Sequence, residues 1–314
     1  MTDNKPEPGH ESAVRSFRWI WIAYATALIV ALVTLWQPWL AIGESVLMRA
    51  LVTDVLATLV IFGFSLAFAN ASFYDAYWSV APPFLAGYFV VSQDAPLDVR
   101  TMLIVGLVVA WALRLTHNWA RGWQGLQHED WRYIDLRAKT GKAWWLVNLL
   151  GIHLFPTLLV FLGCIALQAA LQPGTQSLGV LDVLASLVGW SALWLEDTAD
   201  NQLRDFRMQQ HSEGRVLDTG VWAWCRHPNY LGEIGFWFAL FLYAWAAQGS
   251  SVFNPYFGAI WGPVSMLALF VGISIPMIDK RLAAREGFTQ HMRNTYALLP
   301  ISHLRKNRGQ NTAS

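Results

Sequence analysis

The sequence predicts an all-α integral membrane protein, a multi-pass bundle of about seven or eight transmembrane helices. Three observations predict it. Only 14% of the 314 residues are charged against 55% hydrophobic, whereas a soluble domain carries about a quarter charged. Apolar runs near the ~20 residues needed to cross a bilayer recur along the chain. The basic residues also fall on alternate connections, as positive loops retained in the cytoplasm require.

The elements are taken in chain order. Residues 1–18 are polar and read as a retained cytoplasmic tail, since no small-residue cleavage pattern comes after them. Trp19–Trp36 and Leu51–Ala69 each approach spanning length. Val80–Val91 is short and carries Pro82-Pro83 near its start, so a proline-broken helix is expected there. Met102–Trp119 holds Arg114 and His117. Ala143–Leu171 exceeds one span, and His153 with Pro156 suggests a tilt or kink. Val180–Leu195, Tyr230–Ala247 and Tyr256–Ile278 complete about eight crossings within one membrane domain, 19–303, before a polar disordered tail at 304–314.

With the N-terminus inside, the basic residues divide twenty to two in favour of the inner side, only Arg49 and Arg100 falling outside. Dropping Val80–Val91 would flip only the first tail. Both termini are therefore expected in the cytoplasm, and in a bacterium the cell inner membrane is the expected location.

Composition excludes several functions. A net charge of +1 offers no basic stripe for nucleic acid. Two cysteines, Cys164 and Cys225, are too few for a disulfide framework. None of the eight histidines lies within five residues of another, so no metal site is expected. Phosphate-cradling glycine loops and nucleophile elbows are missing.

The segment Glu196–Glu233 carries the strongest chemical signal. Ionisable groups beside apolar runs are costly unless paired, hydrated or bound to a ligand. Asp200, Arg204 and Arg207 fall on one helical face by their spacing. Arg226-His227-Pro228-Asn229-Tyr230 then supplies cationic, donor and aromatic groups before the next apolar run. Together they suggest an anionic-cofactor site at a membrane surface.

Asp200-x-x-x-Arg204-x-x-Arg207, Gly220-Val221-Trp222 and Arg226-His227-Pro228-Asn229-Tyr230-Leu231-Gly232-Glu233 resemble the C-terminal half of the steroid 5α-reductase family, about residues 180–302. The closest likeness is to an uncharacterised bacterial branch. Asp75-Ala76-Tyr77-Trp78 and Glu129-Asp130-Trp131-Arg132-Tyr133 extend the resemblance from about residue 50. It implies a cytoplasm-facing cavity for NADPH, with hydride passing to the β-carbon of an enone in a steroid or another hydrophobic, lipid-like substrate. Asp200, Arg204 and Arg207 would hold the adenosine and phosphate end. Asn229, Tyr230 and Glu233 would line the cavity nearer the nicotinamide, with Arg226 and His227 in the same motif.

The substrate half departs from the steroid-reducing members. Ser274, Asp279 and Leu282 stand where those carry Arg, His and Tyr, and Trp111 and Ser79 fall near their carbonyl-polarising Tyr and its Glu partner. Tyr77, Tyr133 and Asp75 are then the candidate catalytic groups. Each feature also has a plainer reading. Asp200, Arg204 and Arg207 would suit a solvated face, His227-Pro228 a helix start, His153 an interhelical bond, and Asp279 a local pair with Arg281 or Arg285. Two other functions fit part of the pattern. One is an S-adenosylmethionine-dependent methyltransferase of the isoprenylcysteine type, which shares the Arg-His-Pro-x-Tyr run; the other is a non-enzymatic membrane protein.

Overall fold

The structure is a computed structural model describing residues 8–36, 45–174, 176–209, 214–249 and 255–301. The chain is an all-α, multi-pass membrane protein, with no strand among the described residues. Its helices are α1 (Pro8–Trp36), α2 (Val46–Ala67), α3 (Tyr77–Ser92), α4 (Val99–Gly122), α5 (Trp131–Thr140), α6 (Trp144–Val147), α7 (Phe155–Leu171), α8 (Val180–Met208), α9 (Pro228–Gln248), α10 (Trp261–Leu269), α11 (Ile275–Leu282) and α12 (Phe288–Asn294). π-Helical turns at Asn148–Leu154 and Phe270–Ser274 join α6 to α7 and α10 to α11.

Six helical stretches among the described residues are long and apolar enough to cross a membrane: Val14–Leu35, Val46–Ala67, Val99–Gly122, Trp131–Leu171, Pro228–Gln248 and Phe257–Leu282. Two expected crossings fall outside that set. At 16 residues α3 is short, and Pro82 and Pro83 lie within it rather than breaking it. α8 opens on an apolar half but runs unbroken into the charged segment. Val180, Leu187 and Trp194, seven residues apart, are nonetheless all exposed on that first half, a stripe suited to lipid. Helix α1 already begins at Pro8, inside the stretch expected as a tail. The expected tail at 304–314 lies outside the described residues.

Contacts divide the chain into two compact units, Met1–Pro173 and Gly174–Ser314. In the first, Ile20, Ala23 and Ala27 of α1 pack with Ala57 and Ile61 of α2 and with Phe73, Tyr74 and Tyr77. In the second, α8 and α9 approach through small residues. A Cβ on Gly232 would stand 2.7 Å from the Ala192 carbonyl oxygen and 2.8 Å from Glu196 Cβ. Membrane helices come this close only where one backbone lacks a side chain.

Candidate functional site

In the second unit, α8 holds Asp200, Arg204 and Arg207 on its last turns, as their spacing predicts. Arg207 is exposed to solvent. Burial of its stem, followed by the Arg285 charge, pushes its pKa down; Arg281 adds to that push and Asp200 opposes it. The end of α8 thus shares a cationic neighbourhood with the end of α11 and the turn after it. Like charges gathered this way are favourable when an anion joins them.

The chain before α9 is fixed from two sides. The Arg226 backbone N–H donates to the Tyr296 carbonyl at 2.9 Å, and that of His227 to Ala297 at 3.0 Å. The Arg226 guanidinium donates to the Thr295 carbonyl at 2.7 Å and to Asp279 Oδ2 at 3.2 Å. His227 Nε2 lies 2.9 Å from Asp279 Oδ1. Asp279 therefore joins the tip of α11 to the α9 entrance, not to the expected Arg281 or Arg285, because α11 points its carboxylate toward the entrance loop. Pro228 occupies the first turn of α9, where its missing N–H costs nothing. Arg226 and His227 thus act here as clamp residues of the protein itself.

The remaining motif residues continue along α9. Tyr230 is layered between His227 (5.3 Å between ring centroids, 7° interplanar) and Phe270 (4.5 Å, 26°). Glu233 is buried and accepts from Trp237 Nε1 at 2.7 Å. Asn229 Oδ1 is buried and has no hydrogen-bond partner among the described residues. A narrow cleft runs beside the clamp, lined by residues that include Leu203, Phe206, Trp222, Arg285 and His291. Burial pushes the Cys225 thiol up to about 11, so it is not a nucleophile at neutral pH.

The first unit brings together two of the three catalytic candidates. The Tyr133 hydroxyl donates to Asp75 Oδ1 at 2.6 Å. Around them, residues 70–72 are strapped to 126–130. Asn70 Nδ2 donates to the Leu126 and His128 carbonyls at 2.9 and 3.0 Å, and the Ala71 N–H donates to Glu129 at 2.7 Å. Burial raises the Asp75 carboxyl to about 6 against the opposing bond from Tyr133.

Tyr77 belongs elsewhere. Its hydroxyl faces Asp54 Oδ1 at 3.5 Å, a long contact, inside the cluster formed with α1 and α2. Asp54 is 4% exposed and its Oδ2 has no partner among the described residues. The sequence reading missed Asp54. Its signal was a polar stripe, Asp54, Thr58 and Ser65, at helical intervals in an otherwise apolar run.

Among the described residues, no group of three or more His, Cys, Asp or Glu side chains is arranged to hold a metal. No solved structure matches the chain. An uncharacterized protein of Schizosaccharomyces pombe is 28% identical over 222 residues, 61% of this chain; the match spans 62% of that protein's length. The family model described as "Protein of unknown function (DUF1295)" matches residues 61–295, three quarters of the chain and the stretch that holds the clamp and the charged end of α8. The chain belongs to this DUF1295 family.

Proposed function

We propose that the protein is a membrane-bound, NADPH-dependent reductase of the double bond in a hydrophobic enone. The observation that carries this reading is the cationic end of α8, where Arg207 sits in the field of Arg281 and Arg285. Guanidinium forks match phosphate oxygens bidentately, so Arg204 and Arg207 are assigned the cofactor phosphates. Asp200 is assigned a ribose hydroxyl or the orientation of Arg207. The unpartnered Asn229 Oδ1 suits a carboxamide N–H. These groups fit a phosphorylated dinucleotide. S-adenosylmethionine has no phosphate to justify them.

When bound, NADPH supplies the hydride. The protein supplies a donor to the carbonyl oxygen as negative charge develops there. Tyr77 is the favoured donor, because its hydroxyl makes only a long, 3.5 Å contact to Asp54. The Tyr133 hydroxyl is already committed to Asp75. The apolar surroundings of Tyr77, drawn from α1 and α2, suit a lipid-like substrate.

Thermal-shift titration of the purified full chain in detergent tests the reading. A ligand that binds only the folded form at a hundred times its Kd stabilises by about 2.7 kcal/mol. NADPH is expected to raise the melting temperature, and S-adenosylmethionine to leave it unchanged. The opposite pattern overturns the assignment.

A further inference from the structure

The first unit carries a pocket of about 490 Å³ at the end of α2 remote from the strap. The start of α2 (Ser45, Val46 and Leu47), Gln93 and the end of α7 (Gln168 and Gln172) line it. Helices α2 and α7 run in opposite directions, since Ser65 and Thr58 of α2 meet Asn148 and Thr157 in turn. The last residues of α7 therefore arrive beside the first of α2, and α3 ends there on its C-cap, Gln93. The 22 residues of α2 rise about 33 Å, against a hydrocarbon core of ~30 Å. A spanning helix of that length places its first turn at the depth of lipid headgroups. None of these lining side chains is charged, and three of them are carboxamides.

The carboxamides leave one acceptor over. Gln93 Nε2 donates to the Phe89 and Gln168 backbone carbonyls at 3.3 and 3.4 Å, which fixes its other terminal atom as the oxygen. Gln168 Nε2 donates to that oxygen, so the orientation of Gln168 is fixed in turn. The pair ties α3 to α7, yet Gln168 Oε1 takes no part in it and accepts no hydrogen bond among the described residues. Gln168 is 8% exposed and lines the pocket. A bare acceptor in so buried a side chain is costly unless a donor enters. The opposite wall offers donors. Ser45 Oγ accepts from the Met48 N–H at 3.4 Å, and the Arg49 N–H bonds the Ser45 carbonyl at 3.1 Å. The Val46 and Leu47 N–H groups, first in the helix, have no carbonyl a turn behind them, and the field there favours an anionic oxygen. Met48 and Val91, beside these walls along the chain, are apolar and exposed.

We propose that this pocket holds the headgroup of a membrane phospholipid. Its phosphate oxygens accept from the Val46 and Leu47 N–H groups, and a terminal hydroxyl or ammonium donates to Gln168 Oε1. The acyl chains leave past Met48 and Val91 into the bilayer. This assignment makes a chemical distinction between lipids. Glycerol and ethanolamine headgroups carry O–H or N–H donors beyond the phosphate, whereas choline carries none. The pocket therefore ranks phosphatidylglycerol and phosphatidylethanolamine above phosphatidylcholine. The proposal stands apart from the reductase reading, and its test uses no cofactor.

Native mass spectrometry of the full chain, released from micelles holding equal amounts of the three lipids with identical acyl chains, counts which lipid stays bound. The glycerol and ethanolamine lipids are expected to be retained over the choline lipid by roughly fivefold, the worth of one ordinary hydrogen bond. Gln168→Leu removes the acceptor and should abolish that ranking. Val46→Pro removes an N–H at the first helical position, where proline is well accepted and the preceding Ser45 is already extended. It should lower retention of all three lipids by roughly tenfold, as for a lost bond to a charged group, while Val46→Ala, which keeps the N–H, retains them as the wild type does. The proline variant decides the matter should Gln168→Leu fold poorly. Equal retention of the choline lipid by the wild type, a ranking that survives Gln168→Leu, or retention that survives Val46→Pro overturns the proposal. Glycerol 3-phosphate offers the same chemistry from solution, and its displacing the lipid would overturn the assignment to a membrane headgroup.

Discussion

Asp279 offers the sharpest test of the clamp at the α9 entrance. Its carboxylate faces two donors whose side chains are 11% and 3% exposed, Arg226 and His227, so solvent screens the interaction little. Removing one partner of a buried ion pair costs about 3–5 kcal/mol, because the other charge remains buried and uncompensated. Arg226 keeps its 2.7 Å bond to the Thr295 carbonyl, which offsets part of that loss. Asp279→Ala is therefore expected to destabilise by about 2–3 kcal/mol. Asp279→Asn retains one acceptor and should cost about 1–2 kcal/mol. Equilibrium unfolding in mixed micelles measures both. Hydrogen exchange localises the effect, since the Arg226 and His227 N–H groups bonded to Tyr296 and Ala297 should lose protection first. The double replacement Arg226→Met with Asp279→Leu should recover much of the loss, because a buried pair replaced by apolar groups is close to neutral. An alanine variant that unfolds like the wild type would show that the clamp carries no stability.

Three further outcomes are expected. Arg207→Ala should weaken NADPH binding by about 2–3 kcal/mol while changing the ligand-free melting point little, since the residue is exposed; titration calorimetry reads the first and a thermal scan the second. The Asp75 pKa is raised from 3.8 to about 6 in the fold, so the native state holds a proton the unfolded chain has released. Its contribution is full below pH 3.8 and is lost as pH rises through 6, a slope worth roughly 1–2 kcal/mol after solvent screening, and Asp75→Asn should abolish that slope in unfolding measured across this window. Gly232→Ala drives a Cβ into the Ala192 carbonyl and Glu196 and should cost about 1–3 kcal/mol by thermal unfolding, whereas Gly235→Ala, whose new Cβ meets only the Ala192 methyl at 3.0 Å, should cost less.

Run length and charge were readable because each is a local property. The apolar stretches from Trp19 and Leu51 became α1 and α2, and the spacing of Asp200, Arg204 and Arg207 placed them on one helix. Long-range pairing was not readable. Asp279 was expected to pair locally, yet its partners lie 52 and 53 residues away, and nothing in the spacing encodes that contact. Asp75 and Tyr133 were both candidates, but the bond between them spans 58 residues. Asp54 escaped notice for another reason. A single acid in an apolar run hardly alters its hydropathy, and only its alignment with Thr58 and Ser65 marks the stripe. His153 was readable as an irregularity, since Pro156 lies three positions on, though not as a partner of the Asn148 carbonyl.

Both π turns precede a proline by two residues, Pro156 after Asn148–Leu154 and Pro276 after Phe270–Ser274. A proline lacks the N–H that would close the preceding α turn, and a wide turn takes up the carbonyl left behind. Such a turn is in effect an α-helix that has accepted one surplus residue. Losing that residue returns the helix to regular spacing without re-aiming the downstream side chains, whereas a deletion within regular helix rotates everything beyond it by about 100°. Residues 270–274 are thus a place where the chain can change length by one and still deliver Asp279 to Arg226 and His227. Natural length variation among relatives should collect at these two turns and spare α9.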